Sequence, residues 1–264
     1  MDFNYRIIDN EIEIFEYIGF DEDEICIPTT IEGYDVISIA ENTFRGLNVK
    51  HITFPERLKF IGDRAFFECN LLEDVRLPES MEVCEELAFY HCKSLKHVNM
   101  GGTKYILGHC FERCSMLEEV NVSDDAYILG VNCFAYCTSL ENINIPRGLC
   151  RLEQNTFMGC KNLKQIRIPQ NVSYIGNNCF RDCINLNIIE IEGMDINFES
   201  EVFICYEWKR PMKMDGSEDE RYKPKSKVLE TPNKTIFCLP GSSKGMHEAQ
   251  KYLVNLWKIK YRRV

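Results

Sequence analysis

Cysteine is the residue type whose number and spacing most invite chemistry in this chain. There are 14, and three pairs stand four residues apart: Cys110 and Cys114, Cys133 and Cys137, and Cys179 and Cys183. Thiolates ligate zinc, form disulfides and act as nucleophiles. The pairs are C-x-x-x-C, not the C-x-x-C of zinc knuckles, and the histidines at 51, 91, 97, 109 and 247 are not in register with them. No histidine is matched to a serine or cysteine nucleophile, as a catalytic dyad or triad requires. The chain carries no G-x-S-x-G, H-E-x-x-H, Walker loop or G-x-G-x-x-G, and Gly101-Gly102 is a lone pair. These absences lead us to expect no enzyme, no metal and no cofactor.

The cysteines acquire a different meaning once the phenylalanines are counted. Phenylalanine falls at 44, 66, 89, 111, 134, 157, 180 and 203, at intervals of 22 or 23. Three residues later comes Cys69, Cys92, Cys114, Cys137, Cys160 or Cys183, and three further on Leu72, Leu95, Leu117, Leu140, Leu163 or Leu186. An alternating apolar pair closes each unit, as in Val75 and Leu77 or Ile166 and Ile168. The F-x-x-C-x-x-L spacing predicts a short helical or 3₁₀-like turn with those side chains on one side. The alternating pair predicts a short strand with one buried face. Proline often follows, as at Pro55, Pro78, Pro146 and Pro169, and a glycine or polar turn such as Ile61-Gly62 leads back to the next phenylalanine. One such unit cannot bury its apolar edge alone, whereas stacked copies can. In register, the cysteines are small buried hydrophobes, and Cys110, Cys133 and Cys179 occupy the position before the phenylalanine that Ala65, Ala88 and Thr156 fill elsewhere.

Stretches such as FPERLKFIGDRAFFECNLLEDVRLP (54–78) and IPQNVSYIGNNCFRDCINLNIIEI (168–191) resemble the BspA-like leucine-rich repeat family. The resemblance runs from about 25 to 203, and IPTTIEGYDVISIAENTF (27–44) is similar to the longer first repeat of that family. It implies an α/β solenoid: a right-handed coil with one parallel β-sheet face, short helical turns on the other, and a cap at each end. Gly101 and Ser123 stand where proline is expected, and these departures should tighten a coil without breaking the stack. The expected division is an N-terminal capping hairpin (1–24) turning at Asp9-Asn10, the solenoid (25–206), a polar insertion loop (207–231), and a last strand with capping helix and strand (232–264). The insertion is inferred from spacing. Phenylalanine to proline is 12 residues at 66 to 78, but 37 from Phe203 to Pro240.

With 41 acidic against 31 basic residues and a net charge of -10, the chain lacks the basic footprint of a nucleic-acid binder. Its apolar runs are too short to span a bilayer. The opening MDFNYRIIDNEIEIFEY has no basic and apolar leader pattern, so a cytoplasmic location is expected, with the cell surface as the alternative that the family implies. The candidate site is the outward face of the strands. One row is Thr53, Arg76, Asn99, Asn121, Asn144, Arg167 and Glu190, and a parallel row is His51, Asp74, His97, Glu119, Asn142, Gln165 and Ile188. The residues assigned to partner binding are Arg76, His97, Asn99, Glu119, Asn121, Asn142, Asn144, Gln165 and Arg167. The bland alternative is a solvated face whose asparagines bond one another along the stack. The expected function is a monomeric, non-enzymatic module that presents this face to a protein, or to a glycan, in an adhesin-like manner. A scaffold or assembly subunit using its caps and the 207–231 loop is the alternative.

Overall fold

The computed structural model describes residues 2–20, 22–193, 196–199 and 202, together with four strands beyond them. The chain opens with β1 (Phe3–Ile8), β2 (Glu11–Tyr17), β3 (Glu24–Cys26), β4 (Thr30–Ile31) and β5 (Tyr34–Ile39). Each following coil then contributes two short strands. These are β6 (His51–Thr53) and β7 (Phe60–Ile61), β8 (Asp74–Arg76) and β9 (Val83–Cys84), and β10 (His97–Asn99) and β11 (Tyr105–Ile106). They continue as β12 (Glu119–Asn121) and β13 (Ile128–Leu129), β14 (Asn142–Ile143) and β15 (Arg151–Leu152), β16 (Gln165–Ile168) and β17 (Tyr174–Ile175), and β18 (Ile188–Ile191) and β19 (Asn197–Phe198). The last are β20 (Ile204–Glu207), β21 (Lys227–Glu230), β22 (Ile236–Leu239) and β23 (Tyr261–Arg263).

The first strand of each coil stacks in parallel on its neighbours, with Val75, Val98, Val120 and Ile143 aligned across β8, β10, β12 and β14. This ladder comes in three pieces, β3-β6, β8-β10-β12-β14 and β16-β18-β22-β23. It therefore has two seams, one between β6 and β8 and one between β14 and β16. The second strand of each coil forms another parallel ladder, β2-β5-β7-β9-β11-β13, continued by β15-β17-β19. The expectation of a single sheet face is corrected here. Ile61, read from the sequence as part of a return turn, lies buried in this second ladder, as does Ile175 at the equivalent position. Two-residue strands leave too little alternation to betray themselves as strands.

The helical turns are also corrected, since no helix occurs among the described residues. The residues two before and two after each of the seven repeat phenylalanines from Phe44 to Phe180 are left-handed. Around Phe66 they are Arg64 and Glu68 (φ 53° and 58°), and around Phe111 they are His109 and Arg113 (φ 60° and 65°). A right-handed helix cannot pass through a residue in that region. Instead, the amides of Arg64, Phe66 and Glu68 donate to the carbonyls of Glu86, Ala88 and Tyr90 in the next coil at 3.0, 2.8 and 2.8 Å. The amides between them close tight turns within the coil, Ala65 to Gly62 at 3.2 Å and Phe67 to Arg64 at 3.1 Å. Left-handed non-glycine residues cost roughly 1–2 kcal/mol each, and this intercoil bonding offsets them.

Inside the coils the phenylalanine rings form one stack. Phe44 to Phe180 lie 5.0–5.8 Å apart ring to ring and within 6° of parallel. All seven are buried. At one end, Phe3 and Tyr17 of the antiparallel β1–β2 pair meet Phe44 at 6.4 and 5.7 Å. That pair turns at Asp9 and Asn10, both left-handed, as in a type I′ hairpin turn. Gly101 (φ 52°) lets the backbone approach the preceding coil closely, since a Cβ there would sit 2.2 Å from the Pro78 carbonyl oxygen.

Phe203 lies outside the described residues, as does the expected capping helix over SSKGMHEAQKYLVNL (242–256). Of the expected insertion loop only the flanks are described, where β20 and β21 pair antiparallel. β22 joins the first ladder beside β18, with Phe237 opposite Ile189, and β23 follows it in parallel.

Candidate binding face

A side chain between two buried strand positions must point away from the core, because strand side chains alternate. Arg76, His97, Asn99, Glu119, Asn121, Asn142, Asn144, Gln165 and Arg167 are accordingly all exposed on the outer face of the first ladder. The register aligns Arg76, Asn99 and Asn121 in one row, and Asp74, His97, Glu119 and Asn142 in the row beside it. Gln165 and Arg167 stand beyond the second seam, aligned with Ile188 and Glu190. From β6 to β18 the face spans seven strands, so six spacings of about 4.8 Å set its scale.

The face is not self-satisfied by a ladder of asparagines. Asn99 Oδ1 accepts from the Gly101 amide at 3.0 Å, and Asn144 Nδ2 donates to Asp124 Oδ1 at 3.4 Å. Among the described residues no hydrogen bond joins one of these asparagines to the next. Asp74 lies between two imidazoles, with its carboxylate 3.2 Å from His97 Nδ1 and 3.9 Å from His51 Nδ1. Arg167 pairs with Glu192 and reaches Glu190 at 3.9 Å.

Each seam opens a shallow polar cleft on this face. The first is lined by His51, Thr53, Asp74 and Arg76 over the apolar Ile52 and Phe54. The second is lined by Asp124, Asn144, Arg147, Arg167 and Glu192. Arg147 was missed in the sequence because it lies just past Pro146, beyond the strand, and the alternation of the strand says nothing about it.

The thiols point the other way. The repeated cysteine donates its S–H to the phenylalanine carbonyl of the preceding coil, from Cys69 to Phe44 at 3.0 Å through Cys183 to Phe157 at 3.1 Å. This bond supplies a reason for cysteine that packing volume alone did not. Burial pushes the Cys69 thiol up to about 12, and it likewise raises Cys92, Cys110, Cys133, Cys137, Cys160 and Cys179. A thiol held protonated is a poor nucleophile and a poor ligand. Cys84 and Cys110 bring their sulfurs to 3.3 Å. Cys26 and Cys150 depart from the reading of the cysteines as core, since both are exposed. Among the described residues no group of three histidines, cysteines or carboxylates is placed to hold a metal ion, and no helix is long and apolar enough to cross a membrane.

The second ladder carries a surface that the sequence reading did not anticipate. Phe60, Val83, Tyr105 and Ile128 stand in register on its outer side, and Tyr105 and Tyr127 approach to 6.2 Å. Their shared position, six residues before each phenylalanine, was the available signal.

The model of the BspA type leucine rich repeat region matches in six copies over residues 15–140 and 128–212. A leucine-rich repeat protein of T. pallidum, TpLRR, is similar in structure: TM-score 0.66, 25% identity, covering 70% of this chain and 88% of that one. A leucine rich cell surface protein of Faecalibacterium prausnitzii gives a TM-score of 0.63 at 22% identity, covering 90% of this chain and 69% of that one. A leucine-rich repeat protein of Bacteroides ovatus gives 0.53 at 18% identity, covering 100% and 76%. Comparison with curated proteins returned no match. The 22- to 23-residue period, the stacked phenylalanines and the matched repeat model together place this chain in the BspA-type leucine-rich repeat family.

Proposed function

We propose that this protein is a non-enzymatic recognition module that acts as a monomer and binds a protein ligand on the outer face of its first ladder. The repeat family points to protein ligands in general. The observation that carries the assignment to this face is its row of exposed, aligned polar groups whose asparagines do not saturate one another. Unused donors and acceptors repeated at a fixed spacing of about 4.8 Å give a partner surface several points of attachment. An adhesin-like role is the finer form of this reading, with the cell surface as the alternative to the cytoplasmic location expected from the sequence.

Affinity capture from the native cell tests the proposal, comparing the parent protein with an Asn121→Ala, Asn144→Ala variant. Both residues are exposed, so the variant should melt with the parent protein. Loss of the captured protein with unchanged melting is expected. Capture that ignores these substitutions sinks the assignment to this face.

A further inference from the structure

One pair of cysteines departs from the repeat at both of its positions. Cys84 stands at the buried position of a second-ladder strand, in register with Ile61 on one side and Ile106 on the other. Cys110 stands directly before Phe111, where Ala65 and Ala88 precede Phe66 and Phe89. A cysteine in place of isoleucine removes buried methyl groups, so packing volume does not account for Cys84. Both side chains are fully buried, and the two departures meet, with the sulfurs 3.3 Å apart. One coil back the same two positions are held by Ile61 and Ala88, and one coil on by Ile106 and Cys133, so neither neighbouring coil repeats the pair.

The cysteines of the repeated F-x-x-C position are placed differently. Cys92 and Cys114 hold the same position in adjoining coils, so the coil repeat separates them, and the rings of Phe89 and Phe111 put that repeat at 5.3 Å. A disulfide needs its Cβ atoms about 3.5–4.5 Å apart, closer than such a repeat allows. Cys92 and Cys114 also donate their S–H groups to the carbonyls of Phe66 and Phe89, at 3.2 and 3.1 Å. Cys84 and Cys110 hold different positions in their coils, so the repeat does not hold them apart. Their sulfurs need to approach by only about 1.3 Å to reach the bond length of about 2.05 Å.

We infer that Cys84 and Cys110 are the site of an intercoil disulfide, made by exchange with a small disulfide oxidant such as oxidised glutathione. The thiolate of one cysteine attacks the oxidant, forming a mixed disulfide and releasing one glutathione thiolate. The other cysteine, once deprotonated, attacks the chain sulfur of that mixed disulfide, which forms the Cys84–Cys110 bond and releases the second glutathione. The chain loses two electrons and two protons, and the oxidant is reduced to two thiols. Both sulfurs are sealed in the core, so the exchange belongs to folding or to a transient opening of these coils. The bond joins residues 26 apart in the chain and ties two adjoining coils together.

Refolding the full chain from urea at about pH 8 in reduced and oxidised glutathione, followed by alkylation and peptide mapping, tests it. The expected product carries a Cys84–Cys110 crosslink and free thiols at Cys92, Cys114 and Cys137. It should melt roughly 5–15 °C above the chain refolded in dithiothreitol. Cys84→Ile, which installs the residue of the neighbouring coils, and Cys110→Ala should each fold and should melt alike in the two buffers. Free thiols at both positions, a crosslink of Cys92 to Cys114 in their place, or a crosslinked product that melts below the reduced chain overturns the inference.

Discussion

The buried thiols make this protein base-labile to an extent that follows from the structure. Seven cysteines, at 69, 92, 110, 133, 137, 160 and 179, have their thiols raised by burial, Cys69 to about 12 from an ordinary 9.0. The folded state therefore keeps these protons where the unfolded chain releases them. A raised folded value means that stability is fully present below the unfolded pKa and is lost as pH rises from about 9 towards the folded pKa. At pH 10 the unfolded chain gains roughly RT ln 11, about 1.4 kcal/mol, for each thiol, and the folded chain gains almost nothing. Seven thiols together give about 10 kcal/mol, comparable with the whole stability of an ordinary domain at about 5–15 kcal/mol. Urea midpoints measured under reductant from pH 7.5 to 10.5 should be flat to about pH 8.5 and then collapse, with unfolding near pH 10 in the absence of urea. The phenol group ordinarily ionises in the same pH range, so a control is needed. Cys137→Ala should be less stable than the parent at pH 7.5, yet it should lose about 1.4 kcal/mol less on going to pH 10. A midpoint that stays level to pH 10.5, or an alanine variant whose loss parallels the parent, would refute the reasoning that these thiols are buried and protonated.

Three further outcomes are expected. Phe111→Ala removes a buried ring stacked at 5.3 and 5.5 Å on two neighbours and should cost about 3–5 kcal/mol by urea denaturation, whereas Phe111→Leu should cost less than half of that. A loss below about 1 kcal/mol for the alanine variant would show that the stack carries little of the stability. Gly176→Ala places a Cβ 2.7 Å from the Gln154 amide nitrogen of the adjoining coil, and should destabilise by roughly 1–3 kcal/mol, read as a lower melting temperature. In the native protein at pH 7.5, an aromatic disulfide reagent should modify Cys26 and Cys150 within seconds while Cys69, Cys92 and Cys137 stay unreacted until urea is added, as peptide mapping would show.

The sequence by itself determined the stack. A phenylalanine every 22 or 23 residues with cysteine and leucine at fixed offsets is a one-dimensional signal, and the core is repetitive because each coil meets only its neighbours. The same alternation determined which strand residues face outward, so Arg76, Asn121 and the other candidate residues stand where the pattern put them. What the pattern could not supply is any property that depends on the next coil. The turn containing Phe66 is not helical because Arg64, Phe66 and Glu68 send their amides to a coil more than 20 residues away, and local spacing cannot distinguish that from a 3₁₀ turn. Two-residue strands such as Phe60–Ile61 exist only through their pairing, so the second ladder and its apolar row were invisible before it formed. The seams are of the same kind: whether β14 bonds to β16 is decided between coils, and only the folded stack sets Arg76 and Arg147, 71 positions apart in the chain, in two clefts on one face.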